Sequence, residues 1–261
     1  MSDIDLIWFQ TTNGHFTGRD IYKYTLNNLK KNINLDYFNN KFLSLKVFNN
    51  DEYLNILKDF DGFNHFLWKK QDERINDESS YNDYGYYLIG NYITDIALSY
   101  CRISEMKHSK YIYLVEDDSP EIILSGSLQE YIEDSIDFLE ENENVFSVNL
   151  RRYGRNNNEE YLKYEDLGRV DNFIRRPSGS DFQNQVFRAS DMIKAAKEIR
   201  QNYSKYVNVH PESAVRYAID NSSTIKRYFF TYLPEFAHSI HLGAKESEFL
   251  DLVKDYNLSK D

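Results

Sequence analysis

The sequence predicts an α/β fold, a single domain over residues 1–261 in which a mostly parallel central sheet is flanked by helices. Two observations predict it. Short apolar runs rich in β-branched and aromatic residues alternate with longer stretches whose apolar residues recur at helical spacing. No internal repeat or Pro/Gly-rich linker divides the 261 residues, a length that suits one large domain with a sizeable core.

Six apolar stretches are predicted as strands, because they are β-rich and bounded by polar or turn-forming residues. The clearest has five consecutive apolar residues, which is typical of a strand buried in the middle of a sheet. In chain order the predicted strands are Ile4–Gln10, Phe42–Phe48, Phe63–Trp68, Tyr111–Val115, Val145–Leu150 and the longer strand-like stretch Tyr228–Leu242.

Seven stretches are predicted as helices, because their apolar residues are spaced for one buried face. Ser190 and Asp191 are expected to cap the fifth of them, and Pro211 suits the first turn of the sixth. In chain order the predicted helices are Thr17–Lys31, Asp51–Phe60, Tyr86–Met106, Ser127–Glu141, Ser190–Tyr203, Pro211–Asp220 and a polar helix after Ala244. The charged stretches 71–83 and 153–171 are predicted to be irregular.

Composition excludes several classes of protein. A net charge of −11 disfavours a nucleic-acid-binding protein, which needs a basic face. The single Cys101 excludes an internal disulfide and favours a reducing compartment. No apolar run approaches the roughly 20 residues of a membrane span, and Met1–Thr12 lacks the features of a signal peptide. We therefore expect a cytoplasmic protein without a transmembrane segment or a nucleic-acid partner.

The most informative feature is the acidic end of the fourth predicted strand. Glu116, Asp117 and Asp118 follow Tyr111–Val115 directly, and ligands of open α/β sheets bind at the carboxyl ends of strands. Adjacent carboxylates repel each other unless a cation or hydrogen bonds compensate them. Hard oxygen ligands suit Mg²⁺ or Mn²⁺ held together with the phosphates of a substrate. The run therefore indicates a metal–diphosphate site.

Three other interpretations of the acidic run have to be weighed. A solvated acidic turn is as frequent for an isolated run of this kind, because short motifs match by chance. A receiver domain is excluded, because the next predicted strand continues into Arg151 and Arg152 and not into a phosphoacceptor Asp. A nucleotide-sugar glycosyltransferase is the third, and the rest of the chain favours it.

A late histidine completes the pattern. Ser239–Gly243 places His241 beside Leu242 and a glycine, and a neutral imidazole is a good ligand for a transition metal. With the acidic run, this segment resembles glycosyltransferases of the GT-A type, whose Rossmann-like domain holds Mn²⁺ through a DXD motif. The resemblance implies that Asp118 and His241 bind Mn²⁺ or Mg²⁺, and that Glu116 and Asp117 face the sugar or ribose. His238 is the weaker candidate.

The resemblance also implies where the nucleotide binds. It assigns residues 1–120 to the nucleotide-sugar half of the domain and residues 121–261 to the acceptor half. Hydroxyl and amide side chains after the first strand suit a base and ribose, and a following arginine could reach a phosphate. The implied substrate-binding residues are Thr11, Thr12, Asn13, Arg19, Gly90, Asn91, Glu116 and Asp117.

An inverting transfer needs a general base to take the proton of the attacking hydroxyl. By resemblance this is a carboxylate of the C-terminal half, and Glu212 at a helix start is the first candidate, with Asp181 as the second. The predicted function is metal-dependent transfer of a sugar from a UDP- or GDP-sugar to a glycan or other hydroxyl acceptor. The alternatives are a nucleotidyltransferase of related fold and a catalytically inactive sugar-binding or interaction domain.

Overall fold

The structure is a computed structural model. It describes residues 3–11, 20–47, 50–69, 97, 99–150, 152–153, 168–176, 184–206, 214–215, 217–219, 228–233, 235–240, 242 and 246–260.

A nine-stranded sheet forms the centre of the described structure. Its strands are β1 (Ile4–Thr11), β2 (Lys41–Val47), β3 (Asn64–Lys69), β4 (Tyr111–Glu116), β6 (Val145–Asn149), β8 (Arg169–Val170), β9 (Phe173–Arg176), β10 (Gln185–Arg188) and β11 (Tyr228–Tyr232). A smaller sheet contains β5 (Glu121–Ile123), β7 (Arg152–Tyr153) and β12 (Ala237–Ile240). The spatial order is β3-β2-β1-β4-β10-β6-β11-β9-β8 in the large sheet and β5-β12-β7 in the small one.

Strand directions divide the large sheet into two parts. The strands β3, β2, β1 and β4 are mutually parallel. The next strand, β10, runs antiparallel to both β4 and β6. Beyond it, β6 and β11 are parallel, while β9 and β8 pair antiparallel. The predicted α/β fold with a mostly parallel sheet is confirmed.

Helices cover the sheet on both faces. They are α1 (Ile21–Asn32), α2 (Asn50–Asp59), α3 (Leu128–Glu141), α4 (Ala189–Gln201), α5 (Tyr203–Tyr206) and α6 (Glu246–Asp255), with a 3-10 turn at Leu35–Tyr37. Residues 99–104 are also helical, as are 214–215 and 217–219. Among the described residues, no helix is long and apolar enough to cross a membrane.

The β4 strand shows why the sheet needs helices on both faces. Tyr111, Tyr113 and Val115 are buried in one apolar cluster, which also contains residues of α1 and α3. Ile112 and Leu114 are buried in a second cluster, which also contains residues of α4. Because side chains alternate between the faces of a strand, a run that is apolar at every position must be covered on both sides.

The C-terminal stretch differs from the prediction. We expected one strand-like element over Tyr228–Leu242, but the chain leaves the large sheet after Tyr232 and enters the small one at Ala237. A turn separates the two strands, because Phe236 N–H bonds back to the Leu233 carbonyl at 3.0 Å. Apolar content alone gives no signal for this change of sheet.

Two further predictions need correction. The short strands β5, β7, β8, β9 and β10 were not predicted, and both β8 and the last residue of β7 fall within the stretch expected to be irregular. The helix α4 begins at Ala189, so Ser190 and Asp191 lie in its first turn and do not cap it. The helix α3 is capped by Ser127, in a reciprocal capping box with Glu130.

Candidate functional site

The acidic turn, residues Glu116–Ser119, lies at the carboxyl edge of the parallel strands. Glu116 is the last residue of β4 and is in register with Phe9 of β1, so both strands end at this edge. The turn is closed by the Ser119 N–H, which donates to the Glu116 carbonyl at 3.3 Å. Glu116 and Asp117 are half-buried, whereas Asp118 is buried. Two carboxylates therefore face partly to solvent and one is held inside.

The segment after β12 packs against the acidic turn. The Leu242 N–H donates to the Asp118 carbonyl at 2.9 Å, and the Ile240 N–H donates to the Pro120 carbonyl at 3.2 Å. The Asp118 carboxylate also accepts a hydrogen bond from the Ser119 hydroxyl at 3.0 Å. The two segments that the sequence analysis singled out are thus joined by backbone hydrogen bonds.

Asn184 fastens the turn to the neighbouring strand. It is fully buried just before β10, and its side-chain nitrogen donates to the Ser119 carbonyl at 2.6 Å. Its side-chain oxygen accepts from the Glu116 N–H at 3.4 Å. Sequence analysis missed this residue, because a single Asn in a polar stretch is an ordinary loop signal. Only the pairing of β10 with β4 shows what it contacts.

A further carboxyl group, that of Glu121, is buried two residues after the acidic turn. Glu121 is the first residue of β5 and is fully buried. The Tyr113 hydroxyl donates to its carboxyl at 2.7 Å, and the Asn28 side chain donates to its backbone carbonyl at 2.6 Å. The sequence signal for this residue is a glutamate that stands directly before the apolar residues Ile122 and Ile123.

Burial dominates the electrostatics of Glu121. Loss of solvation raises the pKa of its carboxyl from 4.5 to about 7, although hydrogen bonds from Tyr113, Asn28 and Asn184 act in the opposite direction. Burial also raises the pKa of the Tyr113 hydroxyl well above its ordinary value, and the neighbouring Glu121 adds to that shift. Neutral Glu121 is consequently a substantial part of the population near neutral pH.

The predicted site residues divide into two groups. Glu116, Asp117 and Asp118 are described and lie together in the acidic turn, and Thr11 ends β1 at the same edge, although its side chain is outside the described residues. The other predicted residues lie outside the described part of the chain: Thr12, Asn13, Arg19, Gly90, Asn91, Asp181, Glu212 and His241. The weaker histidine candidate, His238, is buried in β12 with its ring centroid 6.0 Å from that of Tyr256.

The donor atoms of the turn suit a hard divalent cation. Within the described ranges, no three His, Cys, Asp or Glu side chains are grouped so that they alone could hold a metal ion. Mg²⁺ and its relatives need no such protein cage, since one or two carboxylates and the phosphates of a substrate complete their coordination. The acidic turn contains three such carboxylates, those of Glu116, Asp117 and Asp118.

Comparison with known proteins gives structural neighbours only. No protein-family model matches the sequence, and no curated protein matches it. HddC from Yersinia pseudotuberculosis, solved with GMP-PN, has a TM-score of 0.48 and 9% identity over 96% of this chain and 99% of its own. For 4-diphosphocytidyl-2C-methyl-D-erythritol synthase from Anaerococcus prevotii the TM-score is 0.46, with 10% identity over 96% and 97% of the two chains.

A third neighbour is a glycosyltransferase. It is involved in glycosylation of the major capsid of PBCV-1 and has a TM-score of 0.43, with 9% identity over 96% of this chain and 99% of its own. At TM-scores of 0.48 and below, the likeness is one of architecture, so function has to be inferred from the residues of this chain.

The raised pKa of Glu121 predicts a dependence of stability on pH. The folded state binds the Glu121 proton more tightly than the unfolded state, so the contribution is complete below about pH 4.5 and is lost as pH rises to about 7. A shift of this size corresponds to a loss on the order of 3 kcal/mol. Glu121→Gln should remove that loss, which urea unfolding at pH 5 and pH 7.5 would measure.

The control is Glu105→Gln, which makes the same change at an exposed glutamate. It should keep the wild-type difference in unfolding free energy between the two pH values. If Glu121→Gln also keeps that difference, Glu121 does not titrate as its burial indicates.

Proposed function

We propose that this protein transfers a sugar from a nucleoside-diphosphate sugar to a hydroxyl of an acceptor, with Mn²⁺ or Mg²⁺ at the acidic turn. The observation that carries the proposal is the hydrogen bond from the Leu242 N–H to the Asp118 carbonyl. It joins the acidic strand end to the segment of the late histidine. If the two motifs were unrelated chance matches, there would be no reason for their segments to lie next to each other in the fold.

The residues that would hold the cation are Asp118 and His241. The neighbours of His241 on both sides, Ile240 and Leu242, are bonded to Pro120 and Asp118, which supports this pairing. Glu116 and Asp117 are half-buried in the same turn and would face the sugar or ribose. The cation would neutralise charge on the departing diphosphate as a Lewis acid.

The nucleotide would occupy the edge where β1 and β4 end. Thr11 ends β1 at the edge where β4 ends in the acidic turn, and this supports a role for Thr11, and for Thr12 and Asn13 after it, in binding base and ribose. Ligands of open α/β sheets bind at such strand ends. Arg19 would contact a phosphate, and Gly90 and Asn91 would approach the sugar.

The chain itself must also remove a proton. As the acceptor hydroxyl attacks the anomeric carbon, its proton passes to a carboxylate oxygen, and the bond from sugar to diphosphate breaks with inversion. Glu212 is the first candidate for this base and Asp181 the second. Support for including Asp181 comes from Asn184, because it follows Asp181 by three residues and is bonded to the acidic turn.

A thermal-shift screen of UDP-, GDP- and dTDP-sugars with and without Mn²⁺ tests the proposal. A metal-dependent rise in Tm with one donor, followed by transfer or slow hydrolysis of that donor, would support it. Stabilisation by a nucleoside triphosphate, with release of pyrophosphate in the presence of a sugar phosphate, would identify a nucleotidyltransferase. No stabilisation by any nucleotide would indicate an inactive domain.

The direct metal ligand gives the first functional prediction. Asp118→Ala removes one carboxylate that would bind the cation, so metal-dependent binding of the donor nucleotide should be abolished. Calorimetric titration of nucleotide in the presence of Mn²⁺ would measure this, and the circular dichroism spectrum should remain that of the wild type. Asp137→Ala is a matched control, because Asp137 lies on the exposed side of α3. Equal nucleotide affinity of Asp118→Ala and wild type would contradict the assignment.

The late ligand predicts a contrast between two histidines. His241→Ala should weaken Mn²⁺ affinity by ~10–100-fold, which is typical of a perturbed metal site. His238→Ala should affect the stability more than the affinity, because His238 is buried in β12. Manganese binding followed by electron paramagnetic resonance would compare the two. If His238→Ala shows the larger loss of affinity, the chosen histidine is wrong.

Replacement of the general base should slow the transfer reaction without weakening the binding of donor or metal. Glu212→Gln keeps the shape and removes the basicity, so transfer should fall by ~10²–10⁴ while donor and metal affinities stay unchanged. Asp181→Asn is the parallel variant, and whichever of the two shows this pattern identifies the base. If neither slows transfer, both assignments fail. A product that retains the anomeric configuration of the donor would remove the need for such a base.

A further inference from the structure

Asn184 occupies an unusual position relative to the acidic turn. Its side chain bridges the two ends of the turn, since its oxygen accepts from the Glu116 N–H and its nitrogen donates to the Ser119 carbonyl. Its own carbonyl accepts from the Leu150 N–H at 2.8 Å, at the end of β6. One residue therefore connects the carboxyl ends of β4 and β6 to the amino end of β10.

We propose that Asn184 is the positioning residue of the acidic turn and sets its affinity for the divalent cation, a role that rests on the proposed function. Three adjacent carboxylates repel one another, so the turn needs bonds from outside itself to keep one geometry. The amide supplies two such bonds without adding charge. Because the side-chain amide of Asn184 is neutral, it does not compensate the negative charge of the carboxylates, which remains available to attract the cation.

The amide acts on the turn and not on the ligand. Asn184 is fully buried, and its oxygen and nitrogen both bond to backbone atoms of the turn. It also moderates the pKa of the adjacent Glu121 carboxyl. Residues that hold metal ligands in place typically change metal affinity by 10–100-fold when they are replaced.

The experiment compares Mn²⁺ binding by calorimetry in wild type and three variants. Asn184→Ala removes both bonds, and we expect its Kd for Mn²⁺ to rise by ~10–100-fold. Asn184→Asp keeps the acceptor for the Glu116 N–H but loses the donor to the Ser119 carbonyl. Its added negative charge alone would strengthen cation binding, so weaker binding in this variant shows that position, not charge, controls the affinity.

The control variant is Thr231→Val. Thr231 is buried on β11 and donates from its hydroxyl to the Asn149 carbonyl at 3.2 Å, so the variant also loses a buried hydrogen bond in the sheet. We expect both Thr231→Val and Asn184→Ala to lower Tm, but only Asn184→Ala to weaken Mn²⁺ binding. Without metal, hydrogen exchange at the Glu116 amide should accelerate in Asn184→Ala and stay unchanged in Thr231→Val.

Each outcome decides a different claim. Wild-type affinity in Asn184→Ala, or tighter binding in Asn184→Asp, overturns the positioning role while the metal site stands. If Asn184→Ala does not fold, Asn184→Asp decides by the same criterion. If wild type binds no Mn²⁺ by itself or with nucleotide, the proposed function fails and this role fails with it. Accelerated exchange at Glu116 would then show that the amide holds the turn for a structural reason alone.

Discussion

The antiparallel insertion of β10 between β4 and β6 is the constraint on which the rest of the structure depends. It joins the parallel strands of the N-terminal part to the strands that follow, so that a single sheet results. Its register is fixed by two adjacent apolar residues. Val186 is buried in the cluster on one face and Phe187 in the cluster on the other. A slip by one residue would exchange them and bury the wrong side chain on each face.

That register has a direct consequence for the acidic turn. Gln185 pairs with Leu114 of β4 and with Asn149 of β6, so Asn184 is placed beside the end of β4. The hydrogen bonds of Asn184 with the acidic turn are therefore a consequence of core packing on both faces of β10. Burial of apolar side chains stabilises the position of β10. The side-chain amide of Asn184 then holds the backbone of the acidic turn in one geometry at the sheet edge.

Carboxyl groups at the two edges of the sheet have different surroundings. At the amino edge, buried Asp5 accepts from the Asn40 N–H at 3.0 Å, the Asn40 side chain at 2.8 Å and the Ser109 N–H at 2.7 Å, which is a structural role for a carboxylate. At the carboxyl edge, three carboxylates crowd into one turn with Glu121 behind them. Because the pKa of Glu121 is raised to about 7, its protonation limits the negative charge at this edge.

The α/β fold and its longest strands could be predicted from the sequence. A strand buried on both faces is apolar at every position, so it can be recognised without knowledge of its tertiary contacts. The predicted strand Tyr111–Val115, which the structure extends by one residue to Glu116, is the plainest case. The strands β9 and β10 could not be predicted, since each is four residues long and carries arginine at its end. Their stability comes from neighbours distant in sequence. For the same reason the position of the acidic turn at a strand end could be predicted, whereas the contacts of Asn184 with that turn could not.

The segment of residues 240–242 shows how the predicted site depends on packing elsewhere. The backbones of Ile240 and Leu242 bond to Pro120 and Asp118, while their side chains are buried in a cluster with Phe249 and Leu252 of α6. Two backbone hydrogen bonds contribute only about 1 kcal/mol each, whereas full burial of one such apolar side chain contributes about 1.5–3 kcal/mol. The larger contribution comes from apolar burial, so α6 stabilises the contact of this segment with the acidic turn. The backbone of Ile240 and Leu242 contacts the acidic turn, while their side chains contact α6. The histidine between them draws attention to this segment in the sequence. The placement of Ile240 and Leu242 beside the turn follows only from the packing of α6.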